Sequence, residues 1–137
     1  MSRNYLLVNR QRKHRVNASS VRRLLDELTE ELRIPSASFA VVFITDPAMR
    51  TYNHRYRGYD QSTDVLSFPG ENGYLGDILI STETAFAQAR TSPTLSFDTN
   101  IRRLLLHGFL HLSGYDHETD NGEMRAIERR LRRRFQC

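Results

Sequence analysis

Three of the chain's five histidines, His107, His111 and His117, fall within eleven consecutive positions. His107 and His111 are four residues apart, a spacing that puts both imidazoles on one face of a helix. Gly114 follows, able to take the left-handed backbone that ends a helix, so the chain can turn back and deliver His117 to the same point. Three neutral imidazoles hold a tetrahedral zinc ion with one position open to water, and zinc lowers the pKa of that water to about 7. The expected chemistry is hydrolysis at one zinc ion held by His107, His111 and His117. Nickel, copper and iron suit the same ligands and stay open.

Two neighbouring chemistries fit less well. Structural zinc sites are usually closed by four protein ligands and favour cysteine, whereas the one cysteine, Cys137, lies twenty residues beyond His117. Zinc peptidases with His-Glu-x-x-His carry a glutamate base directly after the first histidine; this chain has Gly108 there. Asp116 and Glu118, beside the third histidine, are expected to orient imidazoles rather than to complete the ligand shell. His14 and His54 lie apart from the cluster.

The elements that must position these groups follow from hydrophobic spacing. Residues 95–112 carry a long helical pattern that ends at Gly114 and holds His107 and His111 in its last turns. Val21, Leu24, Leu25, Leu28 and Leu32 recur at helical spacing, with Asn17 or Ser19 as cap and Pro35 as stop. Asp46-Pro47 reads as a cap and a first-turn proline, opening a helix to about Tyr56. Further helices are expected at 82–90 and 121–135. Strands are expected at 5–8, 38–45, 63–68 and 76–80. This irregular alternation predicts an α/β (α+β) sandwich, a small mixed four-stranded sheet covered by about five helices, with the metal site at the end of a long helix. Strand order cannot be read from it.

The 137 residues suit a single domain, residues 1–137, long enough to bury roughly two-thirds of the unfolded surface. A hydrophobic content of 39% with 26% charge excludes a disordered chain. No apolar run approaches the roughly 20 residues that cross a bilayer. The N-terminus lacks a signal peptide's apolar stretch and cleavage site. With no second cysteine to form an internal disulfide, the expected location is cytoplasmic. The net charge is +4, carried by arginine with Lys13 as the one lysine. Guanidinium groups bind phosphate through two parallel bonds, so a polyanion is a reasonable partner.

Two blocks together resemble the YbeY family of bacterial endoribonucleases and rRNA maturation factors. One is His107-Gly-Phe-Leu-His-Leu-Ser-Gly-Tyr-Asp-His117, close to HGxLHLxGYDH. The other runs from Asn53-x-x-Tyr56-Arg57-Gly58 through Thr63-Asp-Val-Leu-Ser-Phe-Pro69 to Gly76-Asp77-Ile78. The resemblance implies metal-dependent cleavage of single-stranded RNA, in 3′-end maturation of small-subunit rRNA and in ribosome quality control. It implies small-subunit ribosomal proteins and an assembly GTPase as partners, the three histidines as ligands, and Arg57 as a catalytic residue acting with metal-activated water. Arg55 shares the segment of Arg57, and Ser67 offers a hydroxyl from an extended strand; with Arg57 they are the expected RNA contacts. Either water or the RNA's own 2′-hydroxyl would attack. Three departures are visible: Asn100 stands where the family often has glutamate, Arg102 and Arg103 make that helix more basic than expected, and the 69–76 loop is short. Competing readings are a non-catalytic RNA-binding assembly factor with a structural zinc, and a metal-dependent hydrolase of a small substrate.

Overall fold

The computed structural model describes residues 4–137; residues 1–3, part of the signal-peptide reading, lie outside it. In chain order the elements are β1 (Tyr5–Asn9), α1 (Ala18–Glu31), β2 (Ser38–Ile44), α2 (Asp46–Arg57), β3 (Val65–Pro69), β4 (Tyr74–Ser81), α3 (Thr82–Arg90), α4 (Phe97–Leu112) and α5 (Glu123–Arg134). The strands form one mixed sheet of order β1-β2-β4-β3. β1, β2 and β4 run parallel, and β3 returns antiparallel to β4 as an edge strand. The α+β sandwich with a four-stranded mixed sheet and five helices is as expected.

Alternation along the strands decides which helix packs where. Phe39, Val41 and Phe43 of β2 and Ile78 and Ile80 of β4 point to one face, where α1, α4 and α5 bury Leu24, Leu25, Leu28, Leu105, Phe109, Met124 and Leu131. Ile44, Leu66 and Leu79 point to the other face and meet Met49 of α2. β2 is thus covered on both faces, which is why Phe39-Ala40-Val41-Val42-Phe43-Ile44 is continuously apolar. Among the described residues no helix is long and apolar enough to cross a membrane.

Local capping decides one detail and corrects another. Asn17, not Ser19, caps α1 by accepting the Ser20 N–H at 3.1 Å. The cap of α2 is Thr45, whose hydroxyl accepts the Ala48 N–H at 3.3 Å, so Asp46 and Pro47 sit in the first turn. Freed from capping, the Asp46 carboxylate gathers hydroxyls from Ser62 at 3.0 Å, Thr84 at 2.6 Å and Ser81.

Candidate metal centre and its groove

His107 and His111 sit one turn apart on α4, with their Nε2 atoms 3.2 Å from each other. The helix then closes as its composition requires. Gly114 adopts φ +101°, its N–H donates to the His111 carbonyl at 3.1 Å, and the Tyr115 N–H donates to that of Leu110 at 3.1 Å. This reversal brings His117 back, and one nitrogen from each imidazole lies within 4.8 Å of the others. Nitrogens on a tetrahedral zinc at the usual bond length of about 2.0–2.1 Å stand about 3.3 Å apart. The Nδ1 of His117 is buried with no hydrogen-bond partner, an unfavourable state for a polar atom that a ligand would relieve. The donor set fits a single divalent cation.

A carboxylate orients the first imidazole. The Nδ1–H of His107 donates to Glu128 of α5, at 3.0 Å to Oε2 and 3.2 Å to Oε1. With Nδ1 protonated, the Nε2 lone pair is left facing His111. The Glu128 bond raises the pKa of His107 against the effect of burial, and the Asp64 carboxylate adds to the rise. Burial pushes Glu128 up, but its bond and charge interaction with His107 outweigh that and leave it lowered. Burial first, then the charges of His107 and His117, lowers the pKa of His111.

Gly108 explains why no glutamate follows the first histidine. A Cβ there would lie 2.9 Å from Ile78 Cγ2, 3.0 Å from Ser67 Oγ and 3.3 Å from Val65 Cγ2. Position 108 faces the sheet, and its bareness lets α4 lie close against β3 and β4.

The three histidines open into a groove of about 880 Å³ along β3, shared with Arg57, Tyr56, Asp64 and Glu128. Arg57 is exposed at the end of α2, its guanidinium carbon 5.6 Å from the centre of the Tyr59 ring. Ser67 also lines the groove, but its hydroxyl proton is donated to the Gly108 carbonyl at 3.0 Å. Arg55 lines a different depression, of about 800 Å³, with Arg50 and Asp60. Of the expected RNA contacts, then, Arg57 and Ser67 share a cavity with the three histidines, and Arg55 is placed elsewhere. His14 stacks on Phe86 at 4.2 Å, and His54 is exposed on α2.

Sequence reasoning passed over Glu128, which stands among arginines in the helix expected at 121–135. The orienting role it gave to Asp116 and Glu118 is taken by Glu128 at His107, while Asp116 accepts the Glu118 N–H at 3.0 Å within its turn. It also passed over Asp64, whose place inside the Thr63–Pro69 block was the available signal. Asp64 accepts the Val65 N–H at 2.7 Å and the Gln88 amide at 3.1 Å. Gln88 accepts in turn from buried Asn100 at 2.9 Å, so the departure at position 100 is linked to the groove through Gln88 and Asp64. Arg102 and Arg103, which made α4 unexpectedly basic, donate to main-chain carbonyls after α5: Arg102 to Phe135 and Gln136, Arg103 to Cys137.

The family model for Endoribonuclease YbeY matches residues 6–136, from β1 to beyond α5. The chain belongs to the YbeY family. Relatives named Endoribonuclease YbeY include one from Nitratiruptor, 40% identical over 111 residues that cover 79% of this chain and 75% of that one. Another, from Geobacter metallireducens, is 36% identical over 138 residues, covering 94% and 91%. A solution structure of TM1509 from Thermotoga maritima superposes with a TM-score of 0.64 at 25% identity, over 91% of this chain and 85% of that one. The YbeY match takes in every groove residue named above, so the groove belongs to the region the family shares.

Proposed function

We propose that this chain is a single-strand-specific, metal-dependent endoribonuclease of one domain, with one zinc ion on His107, His111 and His117. In this reading it acts in the cytoplasm in 3′-end maturation of small-subunit rRNA and in ribosome quality control, with small-subunit ribosomal proteins and an assembly GTPase as partners. The observation that carries the proposal is that three converging imidazoles open into the same groove as an exposed arginine and an edge strand. The name shared by the relatives supports the reaction class.

A zinc ion bound there supplies a Lewis acid for a phosphoryl oxygen and activates water. The chain's own residues do the rest. Glu128 holds the His107 ring and its tautomer. Arg57 pairs its planar fork with the non-bridging oxygens of the scissile phosphate and stabilises the charge that develops there. β3 presents a free strand edge along which an extended nucleic-acid backbone can run. Ser67, its proton already given, contributes an acceptor, and Arg55 adds charge on the flank of α2.

The test is incubation of metal-loaded wild type and His111→Ala with defined single- and double-stranded RNA under strict exclusion of contaminating ribonuclease. Wild type is expected to carry about one equivalent of metal and to cut the single strand. The variant is expected to stay folded, lose most of its metal and cut neither. Equal metal and equal cleavage in both proteins would refute the proposal. Metal-loaded wild type that binds RNA without cutting it would favour the assembly-factor reading.

A further inference from the structure

Arg57 accounts for a phosphate, yet a single strand also presents bases, and the groove holds an aromatic group that the chemistry above does not use. Tyr56, next to Arg57 in the last turn of α2, lines the groove and remains 60% exposed. It is not a scattered surface ring. Tyr52 stacks near it with 6.2 Å between centroids and 13° between planes, and Phe68 of β3 meets it edge to face at 5.2 Å.

Phe68 is the firm part of this group. Strand alternation puts it on the α2 face of β3, opposite to Ser67, and it packs against the cluster of Ile44, Met49, Leu66 and Leu79. Tyr56 therefore stands on a support anchored in the core while most of the residue stays in water. Simple core packing does not explain a tyrosine left so open beside a partner so well anchored.

We infer that Tyr56, supported by Phe68, is the platform on which the groove stacks one base of its single strand, and so sets which phosphodiester lies at the histidines. The inference rests on the endoribonuclease reading and adds a positioning residue to it. Consecutive side chains supply what one nucleotide requires, a cation for phosphate at Arg57 and a π-face for base at Tyr56. Every base has a π-face, so such a platform fixes register without demanding a sequence. Tyr59 holds the neighbouring guanidinium by the cation–π contact described above, so the phosphate and base contacts are braced separately. A protein partner would also accept an exposed tyrosine, but the adjoining arginine and the cation site favour a polyanion with flat bases.

The experiment measures kcat/KM of metal-loaded protein on a defined single-stranded RNA, and on copies in which one base at a time is replaced by an abasic site. Tyr56→Ala should lose about ten- to a hundredfold in kcat/KM, the usual weight of one base–aromatic stack, while Tyr56→Phe should keep wild-type values. One abasic position should cost wild type a similar factor and cost Tyr56→Ala little, because both changes remove the same contact. The dependence on log salt should be unchanged in Tyr56→Ala, since no charge is removed. Metal content should be unchanged as well. Should Tyr56→Ala melt early, Tyr56→Leu keeps apolar volume without the ring and is read in the same way. The platform is overturned if the ring-less variant cuts at the wild-type rate, if every abasic loss simply multiplies with the variant's own, or if Tyr56→Phe fails as badly as Tyr56→Ala. Wild type that cuts no RNA would instead bring down the nuclease reading, and the platform with it.

Discussion

Glu128→Gln isolates the charge that orients the His107 imidazole. Both carboxylate oxygens lie within 3.2 Å of His107 Nδ1, and the side chains are 19% and 30% exposed, Glu128 and His107 respectively. Glutamine keeps the shape and one acceptor, so the tautomer survives, but the bond is no longer charge-assisted. A bond to a charged group contributes about 1.5–3 kcal/mol and a neutral one about 1 kcal/mol. The difference, about 1 kcal/mol or somewhat more, corresponds to roughly a tenfold loss in metal affinity; Glu128→Ala, with no acceptor, should approach the hundredfold end of such effects. Competition for zinc against a chromophoric chelator at constant pH measures this, with exposed Arg133→Gln on the same helix as control. The metal-free proteins add a check on sign. The pKa of His107 is raised, so its share of the pair's stability is complete below the ordinary imidazole value and lost as pH rises through the raised one. The pKa of Glu128 is lowered, so its share is lost as pH falls through that lowered value. The gap in Tm between wild type and Glu128→Gln should therefore be widest near about pH 5–6 and should close on either side. Unchanged metal affinity in folded Glu128→Ala would refute the orienting role.

Arg57→Ala should cut RNA cleavage by about 10²-fold while leaving metal content and Tm nearly unchanged, and Arg57→Lys should recover only part because it lacks the planar fork. Its binding should show a log–log salt slope smaller by somewhat under one unit, and wild-type rates in Arg57→Ala would end its assignment. At Asp46, burial raises the pKa, but bonds from Ser81, Thr84 and Ser62, with the charge of Lys13, outweigh it and leave the group below its usual value. Asp46 thus stabilises the fold above the ordinary carboxylate pKa, and this stability is lost as pH falls through its lowered value. Asp46→Asn should lower Tm by a few degrees at pH 7, with about 1 kcal/mol at stake once solvent screening of a partly exposed group is allowed for. Thermal melts from pH 7 to pH 3 should show that gap shrinking with acid; a constant gap would refute the account.

Some of this was decided locally and could be read without coordinates. The converging histidines follow from i, i+4 geometry and one helix-ending glycine, interactions that span at most eleven residues. The strands of the sheet and the faces of α1 and α4 follow from apolar spacing, because burial acts on every turn and every pleat. Even the parting of Arg55 from Arg57 was legible in principle, since two steps along a helix rotate a side chain by about 200°. What tertiary structure alone decided are the encounters between segments distant in sequence. Glu128 reaches His107 because α5 packs on the same face as α4, and nothing near either residue encodes that approach. Tyr56 meets Phe68 because α2 covers the second face of the sheet at its β3 edge. Gly108 has to be bare because α4 lies against β3 and β4. Local spacing chose the three histidines; the packing of helices on a twisted sheet chose what surrounds them, because that packing depends on strand order, which no single segment carries.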